Sequence, residues 1–296
     1  MKNRKVHLLV IIAVFATVAS VVGFTARGSG SVNQSRTATS KPTVKSTLST
    51  SATKPKPAPS SSSAAAVQNQ VLRNELSWTF GGKQQRGWYL YDELLAKTLD
   101  TDHAPVSDDF AEAVTKWQKR RGLSSSGLLD QSSWMAMVSH WQSNRLKNRA
   151  SATPDQLVTA PASDFYDSSR AAENRQVERA TYNAYLKMIA AASQDLKLSA
   201  NDRSLKIISA HRSREYQQML RKKSPNAGSA GLAVNNSPHF TGRALDLYVG
   251  GDPVDTKDAN RAIQVNTPAY KWLVRNAERF GFRPYFYEPW HWEYVK

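Results

Sequence analysis

The chain has 296 residues, a formal net charge of +16 and no cysteine, so it can build one large or two modest domains, while disulfides, thiolate metal sites, cysteine nucleophiles and lipoprotein anchoring are excluded. Any metal must be held by His, Asp or Glu. The basic excess is concentrated: Lys2, Arg4, Lys5, Arg27, Arg36, Lys41, Lys45, Lys54 and Lys56 all precede residue 67, where no Asp or Glu occurs, and such a tail is drawn to anionic lipid or an acidic wall polymer. No basic recognition helix or aromatic RNA-binding signature follows, so nucleic acid is not an expected partner.

Residues 1–26 combine a positive start, "MKNRK", with an uncharged apolar run from Leu8 to Phe24. The run is long for a signal peptide and slightly short for a membrane span. It is expected to act as a signal anchor in the cytoplasmic membrane, or as a signal peptide that leaves a secreted chain if cleaved. Either reading makes the remainder extracytoplasmic, in the cell envelope. Residues 27–66, Ser, Thr, Lys, Pro and Ala with almost no large apolar side chain, read as a disordered linker because burial cannot offset the entropy of ordering them.

Residues 67–142 read as a first folded unit. "VQNQVLRNELSWTF" and "GWYLYDELLAKTL" have helical spacing. Ser107 caps a further amphipathic helix with Phe110, Ala113, Val114 and Trp117 on one face, ended by Gly122. From residue 106 to 137 the order of Phe110, Ala113, Val114, Trp117, Gln118, Gly122, Leu123, Gly127, Leu129 and Trp134 resembles the small three-helix peptidoglycan-binding domain. That resemblance implies an all-α unit that holds the cell wall.

Residues 143–162, polar with two prolines, read as a second linker. Residues 163–296 form the last unit. Its first helix is expected to bury a stripe of Tyr182, Tyr185, Leu186, Ile189 and Ala190. "LKIISA" is a predicted strand, "SREYQQMLRKK" a helix, "NTPAYKWLVRNAERFGF" a helix ended by Gly281, and "FRPYFY" and "WHWEYV" are strands. Helices interspersed with short strands indicate an α+β fold.

"NNSPHFTGRALDLYV", residues 235–249, carries the first part of a chemical constellation. Strand alternation sets Leu245, Leu247 and Val249 on one face and Asp246 on the other. A continuous strand would hold His239 and Asp246 too far apart to share an ion, so the turn at Gly242 is what allows them to converge. In "YEPWHWEY", Trp290 and Trp292 flank His291, leaving His291 and Glu293 toward the site, and a bend at Pro289 can return Glu288 to it. Two His and one carboxylate make a zinc set with one position left for water, and a nearby free glutamate is the general base such a centre needs. Local geometry alone leaves Glu288 and Glu293 as competitors for that role.

The joint pattern "S-x-H-x-x-G-x-A-x-D" with "E-x-x-H-W" some forty residues on, carried by Ser237, His239, Gly242, Ala244, Asp246, Glu288, His291 and Trp292, resembles the zinc D-alanyl-D-alanine carboxypeptidases of the VanY type over roughly residues 165–296. The resemblance implies a Hedgehog-like α+β domain with a small antiparallel sheet and flanking helices. It implies Zn2+ on His239, Asp246 and His291, Glu288 as the catalytic base, and removal of the terminal D-alanine from peptidoglycan stem peptides by a monomer. The family context "S-G-Y-R-S" reads "SAHRS" here. Arg212 matches and implies a fork for the substrate carboxylate, while Ala210 and His211 depart. Ser237 is a candidate substrate hydrogen-bonder or a turn stabiliser. Three rivals stand beside this reading: L,D-carboxypeptidase action, an endopeptidase of the same fold, and a non-catalytic wall-binding protein.

Overall fold

A computed structural model describes residues 61–105, 107–197, 202–223 and 236–296. The expected membrane segment and nearly all of the first linker lie outside the described residues. Among those described, no helix is long and apolar enough to cross a membrane.

The N-terminal half begins with α1 (Ser61–Glu75), which takes in the last residues of the expected linker. The helical pattern of "VQNQVLRNELSWTF" breaks at Leu76, where the chain enters a hairpin of β1 (Ser77–Phe80) and β2 (Lys83–Arg86). The two-residue loop between them is Gly81-Gly82, both at positive φ, the composition that a tight hairpin turn requires. That Gly-Gly pair was the available sequence signal for a strand pair here, and it corrects the all-α expectation. Next come α2 (Asp92–Leu99), α3 (Asp108–Arg120) and α4 (Gln131–Ser143). Ser107 caps α3 as expected, its Oγ accepting from Phe110 N at 3.1 Å. Four helices and a hairpin therefore stand where three helices were expected.

Residues 143–162, expected as a linker, carry β3 (Leu157–Thr159), which pairs antiparallel with β4 (Gln176–Glu178). β4 leads into α5 (Arg179–Leu196). The buried stripe of α5 is Thr181, Tyr185, Met188 and Ala192, whereas Leu186 is 44% exposed. The expected stripe was therefore rotated by about one residue around Tyr185.

The remaining elements are β5 (Ile207–Ser209), α6 (Arg214–Lys223), β6 (Ala244–Leu247), α7 (Asp258–Val265), α8 (Pro268–Asn276), β7 (Phe282–Pro284) and β8 (His291–Tyr294). Four of them form an antiparallel sheet in the order β5-β6-β8-β7. The mixed α and β architecture with small antiparallel sheets and flanking helices agrees with the α+β expectation. Both faces of β6 are buried: Leu245 and Leu247 join the hydrophobic core, and Asp246 on the other face looks into the site. α8 is tied to α5 by Trp272 Nε1 donating to Asp195 Oδ2 at 2.8 Å.

The helical half and the sheet half share one aromatic core. Phe286, just beyond β7, meets Trp78, Phe80, Tyr91 and Trp141, with ring centroids 4.7 Å apart in the pair with Phe80. Arg261 of α7, 1% exposed, donates to the Tyr91 hydroxyl at 2.5 Å and lies over the Tyr287 ring at 4.4 Å.

Candidate metal centre

Three elements bring the site together. A single 3-10 turn, Pro238–Thr241, carries His239. Its start is capped by Ser237, whose Oγ accepts from His239 N at 3.3 Å, so Ser237 serves the turn. Its end is Gly242 at φ +66°. A side chain there would come within 2.8 Å of Glu178 N, because β4 crosses against the turn, with Glu178 N donating to Gly242 O at 3.1 Å. The reversal sends the chain back through β6, where Asp246 pairs in register with His291 of β8.

The outcome is a buried group of His239, Asp246 and His291 with donor atoms within 4.8 Å of one another. Asp246 Oδ1 lies 3.3 Å from His239 Nε2 and 2.9 Å from His291 Nδ1. A tetrahedral ion with ligand bonds of about 2.0–2.1 Å has donor-to-donor edges of about 3.3 Å, so the spacing suits such a centre. The outer nitrogens fit as well. His239 Nδ1 sits 2.7 Å from the Ala210 carbonyl and His291 Nε2 sits 3.3 Å from Glu293 Oε1. Each outer nitrogen therefore faces an acceptor that holds its hydrogen, so that the inner nitrogen is the one that can take a metal, in His291 once its second proton has left. The partner of His239 is a backbone carbonyl, which any residue supplies, so the Ala210 departure leaves this contact intact.

The charges follow from burial and neighbours. Burial, reinforced by the Arg212 charge, lowers His239 to about 4. Burial also opposes a charge on His291, but its hydrogen bonds to Asp246 and Glu293 prevail and raise it to about 9. Asp246 stays well below the ordinary carboxylate range: the adjacent His239 and Arg212 outweigh the cost of burying it.

Glu288 and Glu293 differ sharply. The Glu293 carboxylate, fully buried, accepts from Arg145 Nε at 3.1 Å, from Arg145 Nη2, and from Leu146 N at 2.8 Å, and it faces His291 Nε2. Those partners outweigh its burial and hold its pKa far below normal. Glu288 is 7% exposed and sits in the turn that His291 N closes by donating to Glu288 O at 2.9 Å. Among the described residues its carboxylate has no hydrogen bond or ion pair, and burial pushes its pKa up to about 7. A carboxyl poised near neutrality can take and return a proton; one saturated with donors cannot. The two glutamates, which local sequence leaves equivalent, therefore differ in the structure: Glu293 is engaged by Arg145 and Leu146, and Glu288 has no such partner among the described residues.

Arg212, 9% exposed, donates Nε to Ser209 Oγ at 2.9 Å and Nη2 to Asp246 Oδ2 at 2.5 Å. It acts directly on Asp246, and any grip on a substrate carboxylate has to come from the part of its fork that these bonds leave. His211 lies outside the metal group and donates its backbone N–H to Gln176 O. Sequence reasoning missed Arg145, Ser209 and the structural use of Glu293.

Residues 174–296 match the family model VanY, D-alanyl-D-alanine carboxypeptidase. A search of curated proteins gives no match. Among solved structures, the LD-carboxypeptidase LdcB is similar at 24% identity and a TM-score of 0.37, over 49% of this chain and 70% of that one. A variant of the vancomycin-resistance D,D-pentapeptidase VanY, from a VanB-type cassette and in complex with Zn(II), is similar at 21% identity and a TM-score of 0.31, over 53% of this chain and 89% of that one.

Proposed function

We propose that this chain, whose residues 174–296 form a VanY-type D-alanyl-D-alanine carboxypeptidase domain, is a zinc enzyme that removes the terminal D-alanine from peptidoglycan stem peptides. One observation carries the reading: within the family-matched segment, two imidazoles and one carboxylate converge, and an unpaired buried glutamate with a pKa near 7 stands in the next turn. In this reading His239, Asp246 and His291 hold the ion. When bound, zinc supplies Lewis acidity, polarising the scissile carbonyl and making water acidic near neutral pH.

The protein's own groups do the rest. Glu288 takes a proton from the attacking water and passes it to the departing amine, so one carboxyl serves as base and then acid. Arg212 fixes the orientation of Asp246, and Ser209 fixes Arg212. The Ala210 carbonyl and Glu293 set the two rings. The wall substrate places the domain outside the cytoplasmic membrane, with residues 8–24 as its export or anchoring segment and residues 67–142 as a wall-binding unit.

Glu288→Gln is the direct test. The variant is expected to keep its zinc, measured by elemental analysis, and to lose about 10²–10⁴-fold in kcat; full activity would remove Glu288 from its role. Arg212 commits Nε and Nη2 to Ser209 and Asp246, and the rest of its fork is left to hold the free carboxylate of the substrate. Incubating the full chain with defined pentapeptide, tetrapeptide and cross-linked stem peptides and weighing the products separates D,D-carboxypeptidase, L,D-carboxypeptidase and endopeptidase action. Loss of a single D-alanine from the pentapeptide is the expected result.

A further inference from the structure

The family match begins at residue 174, yet the metal centre is braced by residues well upstream of it. Between α4 and β3 the chain runs across both metal-bearing segments. On the β8 side, Arg145 and the Leu146 N–H hold Glu293, which in turn faces the outer nitrogen of His291. On the other side, Arg149 Nη1 donates to Asn236 O at 3.0 Å and Ala152 N donates to Phe240 O at 2.8 Å, gripping the turn of His239 before and after that residue. The Arg145 guanidinium also lies 3.9 Å over the Tyr285 ring, and that ring meets His291 edge-on with centroids 5.8 Å apart.

We propose that residues 145–152 form a positioning strap for the metal centre, with Arg145 acting through Glu293 on His291, so that this segment upstream of the family match is required for full metal affinity. The proposal rests on the zinc reading above. Glu293 has 0% exposure and the Arg145 side chain 11%, so removing the guanidinium leaves a fully buried carboxylate short of its counter-charge. That carboxylate must shift or draw in water, and the ring orientation that it sets is lost with it. Partners of this kind, one bond beyond a metal ligand, typically change metal affinity about 10–100-fold when removed.

The test uses the full chain stripped of metal and titrated with zinc against a competing chelator. Arg145→Met is expected to raise the zinc dissociation constant about 10–100-fold. Arg145→Lys, which keeps the charge and loses the fork, is expected to lose less. The pair Arg145→Met with Glu293→Gln is expected to bind no more weakly than Glu293→Gln alone, since Arg145 acts through that carboxylate. A merely structural Arg145 would lower the melting temperature of the zinc-free protein and leave zinc affinity within about twofold of wild type; that result overturns the proposal. If Arg145→Met does not fold, an unchanged affinity in Arg145→Lys overturns it equally. Failure of the wild-type chain to bind zinc would instead bring down the zinc reading, and this inference with it.

Discussion

Asp246 divides its carboxylate, with Oδ1 facing the two imidazoles and Oδ2 taken by Arg212. In the metal-free protein the neighbouring proton resides on His291, raised to about 9, and not on His239, lowered to about 4. Metal must therefore displace that proton, and the sign follows: affinity rises with pH until His291 deprotonates by itself. Between pH 5 and 8 the logarithm of the zinc association constant is expected to increase by about one per pH unit, levelling above pH 9. Chelator competition across that range, with calorimetry in buffers of differing ionisation enthalpy to count the released proton, checks it; a flat profile would contradict the assignment. The three candidate ligands, which the structure brings together, were legible through the joint pattern that resembles the VanY-type family and not from any one residue or spacing. The choice of Glu288 over Glu293 was not legible from local pattern, since alternation from His291 puts Glu293 on the site side. What sets Glu293 apart is a guanidinium 148 residues away, and no window of sequence reports that contact.

Gly242 shows how much an element can depend on one backbone angle. Its left-handed conformation reverses the chain between His239 and β6, and β4 packs so closely that a methyl group would meet Glu178 N at 2.8 Å. Gly242→Ala is expected to destabilise the protein by about 1–3 kcal/mol and to weaken zinc binding by displacing the His239 turn. Urea denaturation of the metal-free variant and zinc titration of the folded fraction measure the two effects. The need for a turn here was readable because a strand covers about 3.3 Å per residue, which keeps residues seven apart from meeting. Other elements were read less well for equally local reasons. The hairpin was hidden because β1 follows a strong helical pattern without a break other than Gly81-Gly82. The stripe of α5 was placed wrongly because Leu186 is apolar, yet the face that is buried carries Thr181, Tyr185, Met188 and Ala192.

At the largest scale, the helical half and the sheet half share Phe286, buried among Trp78, Phe80, Tyr91 and Trp141. Phe286→Ala is expected to cost about 3–5 kcal/mol and to lower the melting temperature by roughly 10 °C. Scanning calorimetry is expected to show one cooperative transition in the wild type and two in the variant; a wild type that already melts in two steps would mean that the halves are energetically independent. The sequence reads as two folded units separated by a polar stretch, whereas the described residues fall within one compact unit, Lys56–Lys296. The sequence did not show that the stretch was structured, because Arg145, Arg149 and Ala152 look like solvated linker residues until their acceptors are known. That contact has a consequence for how such proteins can be recombined. Under the proposed bracing, a fragment bounded by residues 174–296 is not a free-standing cassette: joined to a different module, it would leave behind Arg145, Arg149 and Ala152, which contact the segments of His291 and His239. The smallest transplantable piece starts upstream of Arg145, and because Phe286 ties in the hairpin as well, a graft that keeps its ion should be cut before α1.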